Sequence, residues 1–229
     1  METKKGRKSR RKVGTPTVAS GLWAGYHKKL IKLFPDVKCA LHFANPWELM
    51  VAVQLSAQCT DAMVNRVTPT LFKKYKTLEE YTEVKPWEFE KDIFKTGFYR
   101  NKTKNILAAA KMVKEQYGGK VPKTMEEILK LPGVARKTAN VVLGNAYGVV
   151  EGIAVDTHVM RLSRVLGLSN NNTPEKIERD LMQIIPKKDW LVATYLLIEY
   201  GRKYCPSRKH DHRNEPLAER AVSRNTTTR

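Results

Sequence analysis

Residues 131–143 read LPGVARKTANVVL, and residues 155–167 read VDTHVMRLSRVLG. The first stretch is a glycine-centred turn between two helical patterns, with Arg136 and Lys137 directly after it. The second sets Asp156 in front of an amphipathic helix. Pro132 discourages the first helix from running on through Leu131, and Gly133 can take backbone angles closed to other residues, so the chain can reverse tightly there. The amides of Val134 and Ala135 then open the next helix without intrahelical partners, and such amides at the positive end of a helix dipole form an anion site. Backbone donors of this kind hold phosphate without reading bases. A turn that grips a phosphate backbone, a lysine beside it and a nearby carboxylate are parts that could bind DNA and attack it through an amine. The plainer reading of LPG alone is an ordinary helix–turn–helix corner.

The global charge favours the first reading. With 42 Lys/Arg against 23 Asp/Glu the chain carries a formal +19 and a pI near 9.9, a field that attracts polyanions. Residues 1–12 hold seven Lys/Arg and one acid, and residues 201–229 hold eight and three. Taking these +6 and +5 from +19 leaves +8 in the middle, so the folded part is itself basic. A hydrophobic fraction of 41% and a charged fraction of 28% suit a globular protein of 229 residues. No apolar run reaches the length of a membrane span, and the charged N-terminus lacks the apolar stretch of a secretory signal. Three scattered cysteines, Cys39, Cys59 and Cys205, argue against a disulfide framework and for a reducing, cytoplasmic home.

The elements that must carry these residues are helical almost throughout. Periodicity and caps predict helices over 22–34, 46–57, 61–74, 86–94, 101–117, 124–130, 135–147, 157–166, 174–185 and 189–200. Asn45-Pro46 spells a cap with proline at the first helical position. Apolar residues then surround WELMVAVQLSA, so this helix belongs at the centre of a core. GVVEGIAV at 148–155 is the one strand-like run, and its glycines suit a loop equally well. The fold class is all-α.

Taken together, LPGVARKTANVVL, VDTHVMRLSRVLGL, NPWELMVAVQLSAQCTD at 45–61, TGFYRNKTKNI at 96–106 and EYGRKYC at 199–205 resemble, in order, the helix-hairpin-helix DNA glycosylases of the endonuclease III family. The resemblance implies a six-helix barrel module over 39–149 and a second helical module from 22–38 and 150–205. Residues 1–21 are left as a basic disordered arm and 206–229 as a polar basic tail. It implies Lys137 as nucleophile and Asp156 as the catalytic carboxylate, with the site in a cleft between the modules. The family's gap-filling glutamine falls on Gln58 and its apolar wedge on Phe98, while Gly133, Val134, Ala135 and Arg136 form the DNA-holding turn.

Each assignment has a plainer rival. Lys137 could merely pair with phosphate, and Asp156 could be only a helix cap, one rotamer serving one role. Gln58 could be a surface amide and Phe98 a core aromatic. Tyr99, Arg100, Lys102 and Lys104 would serve phosphates or solvate a helix. A free lysine, with pKa near 10.4, is neutral about once in 2,500 molecules at pH 7, so the nucleophile's surroundings must depress it.

The implied activity is removal of oxidised pyrimidines from duplex DNA followed by strand cleavage through an imine. The implied partner is damaged double-stranded DNA, with no membrane, and the chain is expected to act as a monomer. A monofunctional mismatch glycosylase and a non-catalytic DNA binder are the alternatives.

Most of the family binds an iron–sulfur cluster through Cys-x6-Cys-x2-Cys-x5-Cys. Here Cys205 holds the first place, but His212, Glu215 and Ala221 hold the others. One thiolate of four cannot carry that cluster, so no cofactor is expected. Cys205, His210 and His212 supply three zinc-type donors in a tail whose order the sequence does not guarantee.

Overall fold

The computed structural model describes residues 16–217; residues 1–15 and 218–229, with most of the expected basic arm and part of the polar tail, lie outside them. Eleven α-helices order the described residues, and no strand occurs among them. They are α1 (Pro16–Leu33), α2 (Pro46–Leu55), α3 (Asp61–Lys74), α4 (Leu78–Glu83), α5 (Pro86–Ile93), α6 (Tyr99–Gln116), α7 (Met125–Ile128), α8 (Arg136–Tyr147), α9 (Thr157–Val165), α10 (Pro174–Ile184) and α11 (Trp190–Lys203), with short 3₁₀ turns at Phe94–Thr96 and Lys187–Asp189. The strand-like run at 148–155 is irregular. None of the described helices is long and apolar enough to cross a membrane.

Helix starts follow their caps. Asn45 accepts from the Glu48 amide at 2.9 Å, with Pro46 next, as the spelling predicts. α4, absent from the helices that periodicity predicts, has a full capping box: the Thr77 hydroxyl accepts from the Glu80 amide, and the Glu80 carboxylate accepts from the Thr77 amide. It is one and a half turns long, too short for periodicity to register. α1 begins at Pro16, inside the span expected to be a disordered arm.

The chain forms two compact units. One comprises Val37–Ala154 and Trp190–Tyr195. Its core is continuous from Leu41 to Ala154, with every residue of α2 from Leu49 to Leu55 buried. α2 packs on α3, α6 and α8, while α4 and α5 pack on α6. Trp190–Tyr195 was expected in the terminal module. It belongs here because Thr194 Oγ1 donates to Ala154 O at 3.1 Å and Asn145 Nδ2 donates to Tyr195 Oη at 2.6 Å. Leu191 lies so close to Gly144 that a Cβ there would meet it at 2.6 Å.

The other unit takes the described residues up to Asp36, Val155–Asp189 and those from Leu196 onward. α10 packs on α1 and α9, and Trp23, Tyr26, Leu30, Leu162, Ile177, Leu181 and Tyr200 are fully buried. The Tyr26 hydroxyl donates to Leu166 O at 3.2 Å. The boundaries thus fall at Asp36/Val37 and Ala154/Val155, against the expected 38/39 and 149/150. Residues 206–217 of the polar basic tail belong to this unit. Leu217 is buried, and its amide reaches the Tyr200 hydroxyl at 3.4 Å.

Candidate active site and nucleic-acid interface

The turn before α8 is built from both sides. Gly133 sits at φ +77°, where a side chain costs about 1–2 kcal/mol. Gln54 of α2, itself buried, donates through Nε2 to Pro132 O at 3.4 Å. A Cβ on Gly133 would lie 2.6 Å from Gln54 Oε1 and 2.8 Å from Asn105 Cβ. Glycine is therefore needed twice over, for its backbone angle and for its lack of a side chain.

The donors of this turn differ from those expected. Val134 is buried and its amide donates to Leu131 O at 3.1 Å, so it closes the turn and is not an outward donor. The helix begins later, at Arg136, with Ala135 in the cap position and extended (φ −93°, ψ 170°). Alanine offers no capping side chain, and the first amide to donate within the helix is Ala139, to Ala135 O at 2.9 Å. The positive end of the dipole is therefore at Arg136, Lys137 and Thr138, starting two residues beyond the Val134 amide that the sequence suggested. Lys137 is half-buried and Arg136 exposed. Burial pushes the Cys39 thiol up, while the positive charge of Lys137 pulls it down.

Gln58 and Phe98 are the only non-glycine residues with positive φ among the described residues, at 52° and 47°. Such angles are uncommon without glycine and mark places where surrounding structure enforces them. Both side chains are exposed, Phe98 at 64%, which removes the reading of Phe98 as a core aromatic. Both also line one depression, together with Gln54, Asn105, Gly133 and Thr138.

Lys102 holds these two turns in place. Expected on the surface, it is only 6% exposed, and its ammonium donates to Leu55 O at 2.7 Å and Thr96 O at 2.8 Å. Leu55 ends α2, three residues before Gln58, and Thr96 ends the 3₁₀ turn, two residues before Phe98. Terminal helix carbonyls lack intrahelical donors and carry the negative end of the dipole, so a buried cation is at home there. Burial lowers its pKa. The sequence held no signal for this, since Lys102 stands among Arg100, Lys102 and Lys104 as one of three cations.

In the other unit Asp156 caps α9, its Oδ1 accepting from the Val159 amide at 2.8 Å. The cap engages one carboxylate oxygen, Oδ1. Near the end of the described chain Cys205, His210, His212 and Glu215 converge, their donor atoms all within 4.8 Å of one another. This group could hold a metal ion. Glu215, seen in the sequence only as a non-cysteine at a cluster position, is its fourth member.

Residues 51–187 match the model of the HhH-GPD superfamily base excision DNA repair proteins. The chain is 50% identical over 180 residues to the endonuclease III of Synechocystis sp., covering 79% of this chain and 82% of that one. It is 52% identical over 178 residues to the endonuclease III of Bacillus subtilis, covering 77% and 81%. The chain belongs to the endonuclease III family. Among solved structures of that family, a trapped endonuclease III–DNA covalent intermediate superposes with a TM-score of 0.85 at 42% identity, covering 90% of this chain and 98% of that one. The family's four-cysteine cluster does not fit these residues. Three cysteines exist in all, and Cys39 and Cys59 belong to the unit that lacks Cys205.

Proposed function

We propose that this protein is a bifunctional DNA glycosylase and abasic-site lyase of base excision repair, acting on oxidised pyrimidines in duplex DNA with Lys137 as nucleophile. The observation that carries the reading is a half-buried lysine in the first turn of α8, directly behind the Gly133 turn, in a chain of this family. A relative of the same fold has been trapped as a covalent intermediate with DNA, which supports an attacking amine here.

The Lys137 Nζ lone pair forms a bond to C1′ of the damaged nucleotide. The glycosidic bond breaks with its electron pair on the base, which takes up a proton. Opening of the sugar ring leaves a protonated imine at C1′ and a hydroxyl at C4′. The imine withdraws electrons from C2′, so a proton leaves there and the 3′ phosphate departs by β-elimination. Water then hydrolyses the imine and frees the lysine.

Asp156 supplies a carboxylate to offset positive charge on the sugar or to take a proton from the amine. The amides at the start of α8, with Gly133, Ala135 and Arg136 forming the approach, hold phosphate without reading sequence. Val134 acts by closing the turn. Gln58 and Phe98 occupy the space a flipped nucleotide vacates, their exposed side chains held on two turns that share one anchor. The excess of basic groups adds sequence-independent affinity that falls as salt rises. The protein acts as a monomer, with damaged double-stranded DNA as its partner.

Borohydride trapping on a duplex containing thymine glycol tests this, comparing the native chain with Lys137→Gln. The native chain should form a covalent adduct that the variant does not. Base loss without an adduct would indicate a monofunctional glycosylase, and intact DNA despite tight binding a non-catalytic binder.

A further inference from the structure

Two of the three positions where the family's cluster cysteines are replaced carry other metal-binding residue types, His212 and Glu215. The fold brings both onto Cys205 and adds His210. We infer that Cys205 Sγ, His210 Nε2, His212 Nδ1 and Glu215 Oε1 bind a single divalent ion, zinc by their mixed sulfur, nitrogen and oxygen character.

The spacings suit one ion. Zinc bonds of about 2.0–2.3 Å place tetrahedral donors roughly 3.3–3.8 Å apart. Cys205 Sγ is 3.8 Å from His212 Nδ1. Glu215 Oε1 lies 2.8 Å from His210 Nε2 and 2.6 Å from His212 Nδ1, contacts that an ion would open by about half an ångström.

The arrangement of His210 is the most telling. Its Nδ1 is 2.7 Å from Arg208 O. A carbonyl oxygen only accepts, so Nδ1 carries the hydrogen and Nε2 of the neutral ring presents a lone pair. Nε2 faces a carboxylate oxygen at 2.8 Å, so the pair needs a positive centre between them: a proton in the ion pair of the empty site, or a metal ion that takes its place.

The surroundings of the four donors match what metal ligands need. Metal-binding histidines commonly donate their other ring nitrogen to a carbonyl, as His210 does to Arg208. The Tyr200 hydroxyl donates to Glu215 Oε2 at 2.8 Å, fixing the carboxylate with Oε1 turned to the histidines. Arg161 donates to Cys205 Sγ at 3.4 Å and to Cys205 O at 2.6 Å, fixing the position of the sulfur. Cys205 is fully buried and the Glu215 side chain is 7% exposed. Four protein donors leave no open position, so the ion is structural. It ties residues 205–217 to α9 through Arg161 and to α11 through Tyr200, where the family's cluster would otherwise organise the chain.

The experiment uses the full chain without a histidine tag, purified through a weak chelator. Elemental analysis should find about one zinc per chain, with neither iron nor sulfide. Stripping the ion with a strong chelator should lower Tm, and zinc at a thousandfold excess over Kd should restore it by about 10 °C. Cobalt added to the stripped chain should give visible bands of a four-coordinate site and a sulfur-to-cobalt charge-transfer band. Cys205→Ser should remove the charge-transfer band. Glu215→Gln, which keeps the shape and the bond to Tyr200, should weaken zinc binding about 10–100-fold. Zinc well below one equivalent, no thiolate–cobalt band and an unchanged Tm would overturn the proposal, as would iron with sulfide. If Cys205→Ser folds poorly, the cobalt spectrum of the native chain decides alone.

Discussion

Lys102→Met removes an ammonium while keeping a long unbranched side chain of similar volume. Two carbonyls, Leu55 O and Thr96 O, lose donors now at 2.7 and 2.8 Å. Each buried carbonyl stripped of its partner costs about 1–3 kcal/mol. Relief from burying a charge offsets part of this, as the lowered pKa of Lys102 indicates. The net loss should be about 2–3 kcal/mol, enough to register in equilibrium urea unfolding followed by tryptophan fluorescence without unfolding a domain of ordinary stability. The same variant should bind a duplex carrying an abasic analogue about tenfold more weakly, because the turns bearing Gln58 and Phe98 lose their common anchor. That factor corresponds to about 1.4 kcal/mol. A stability change under about 0.5 kcal/mol together with unchanged affinity would refute the reasoning, for it would mean those carbonyls do not depend on the lysine.

Gly133→Ala should destabilise by about 2–4 kcal/mol, combining the left-handed penalty with Cβ contacts of 2.6 and 2.8 Å; a urea-derived change below about 1 kcal/mol would contradict the close approach. Asp156→Asn should leave stability within about 0.5 kcal/mol, since asparagine caps as well as aspartate, while single-turnover base removal slows by about 100-fold or more. Near-normal rates would reject Asp156 as catalytic. Burial raises the pKa values of Tyr75, to about 12, and of Tyr81, Tyr195 and Tyr200. The folded chain then keeps protons that the unfolded chain sheds near pH 10, so their contribution is complete below about pH 10 and is lost as pH rises toward the folded values. Lys102, with its pKa lowered, works in the opposite direction below about pH 10.4 and is outnumbered, since burial raises Tyr147 as well. The urea midpoint should fall between pH 9.5 and 11, and a flat midpoint would disprove the shifts.

What could be read in the chain was local. The cap at Asn45-Pro46, the turn at Gly133 and the apolar circumference of α2 are set by residues within a few positions of one another, and a short window records them. The family motifs were legible for the same reason, being runs of neighbours. α4 escaped because six residues do not establish a period, though its capping box was spelled out at Thr77 and Glu80. The Val134 amide lies two residues before the helix start and closes the turn, which the sequence does not show because the cap at Ala135 has no side chain to announce it.

Tertiary structure alone decided the rest. Lys102 is one of three cations in TGFYRNKTKNI, and only the arrival of the Leu55 carbonyl from α2, beside that of Thr96 at the start of the same stretch, makes it a buried anchor. Gln58 and Phe98 take left-handed angles because of the turns that surround them, not because of their own preferences. Trp190–Tyr195 joins the opposite unit through bonds to Ala154 and Asn145. Glu215 stands ten residues from Cys205 in an acid-poor tail, and becomes a ligand candidate only where Tyr200 and two histidines orient it. For Lys102, Trp190–Tyr195 and Glu215 at least one deciding partner, Leu55, Ala154 or Tyr200, is distant in the chain, so the free energy that places the residue is absent from a local window.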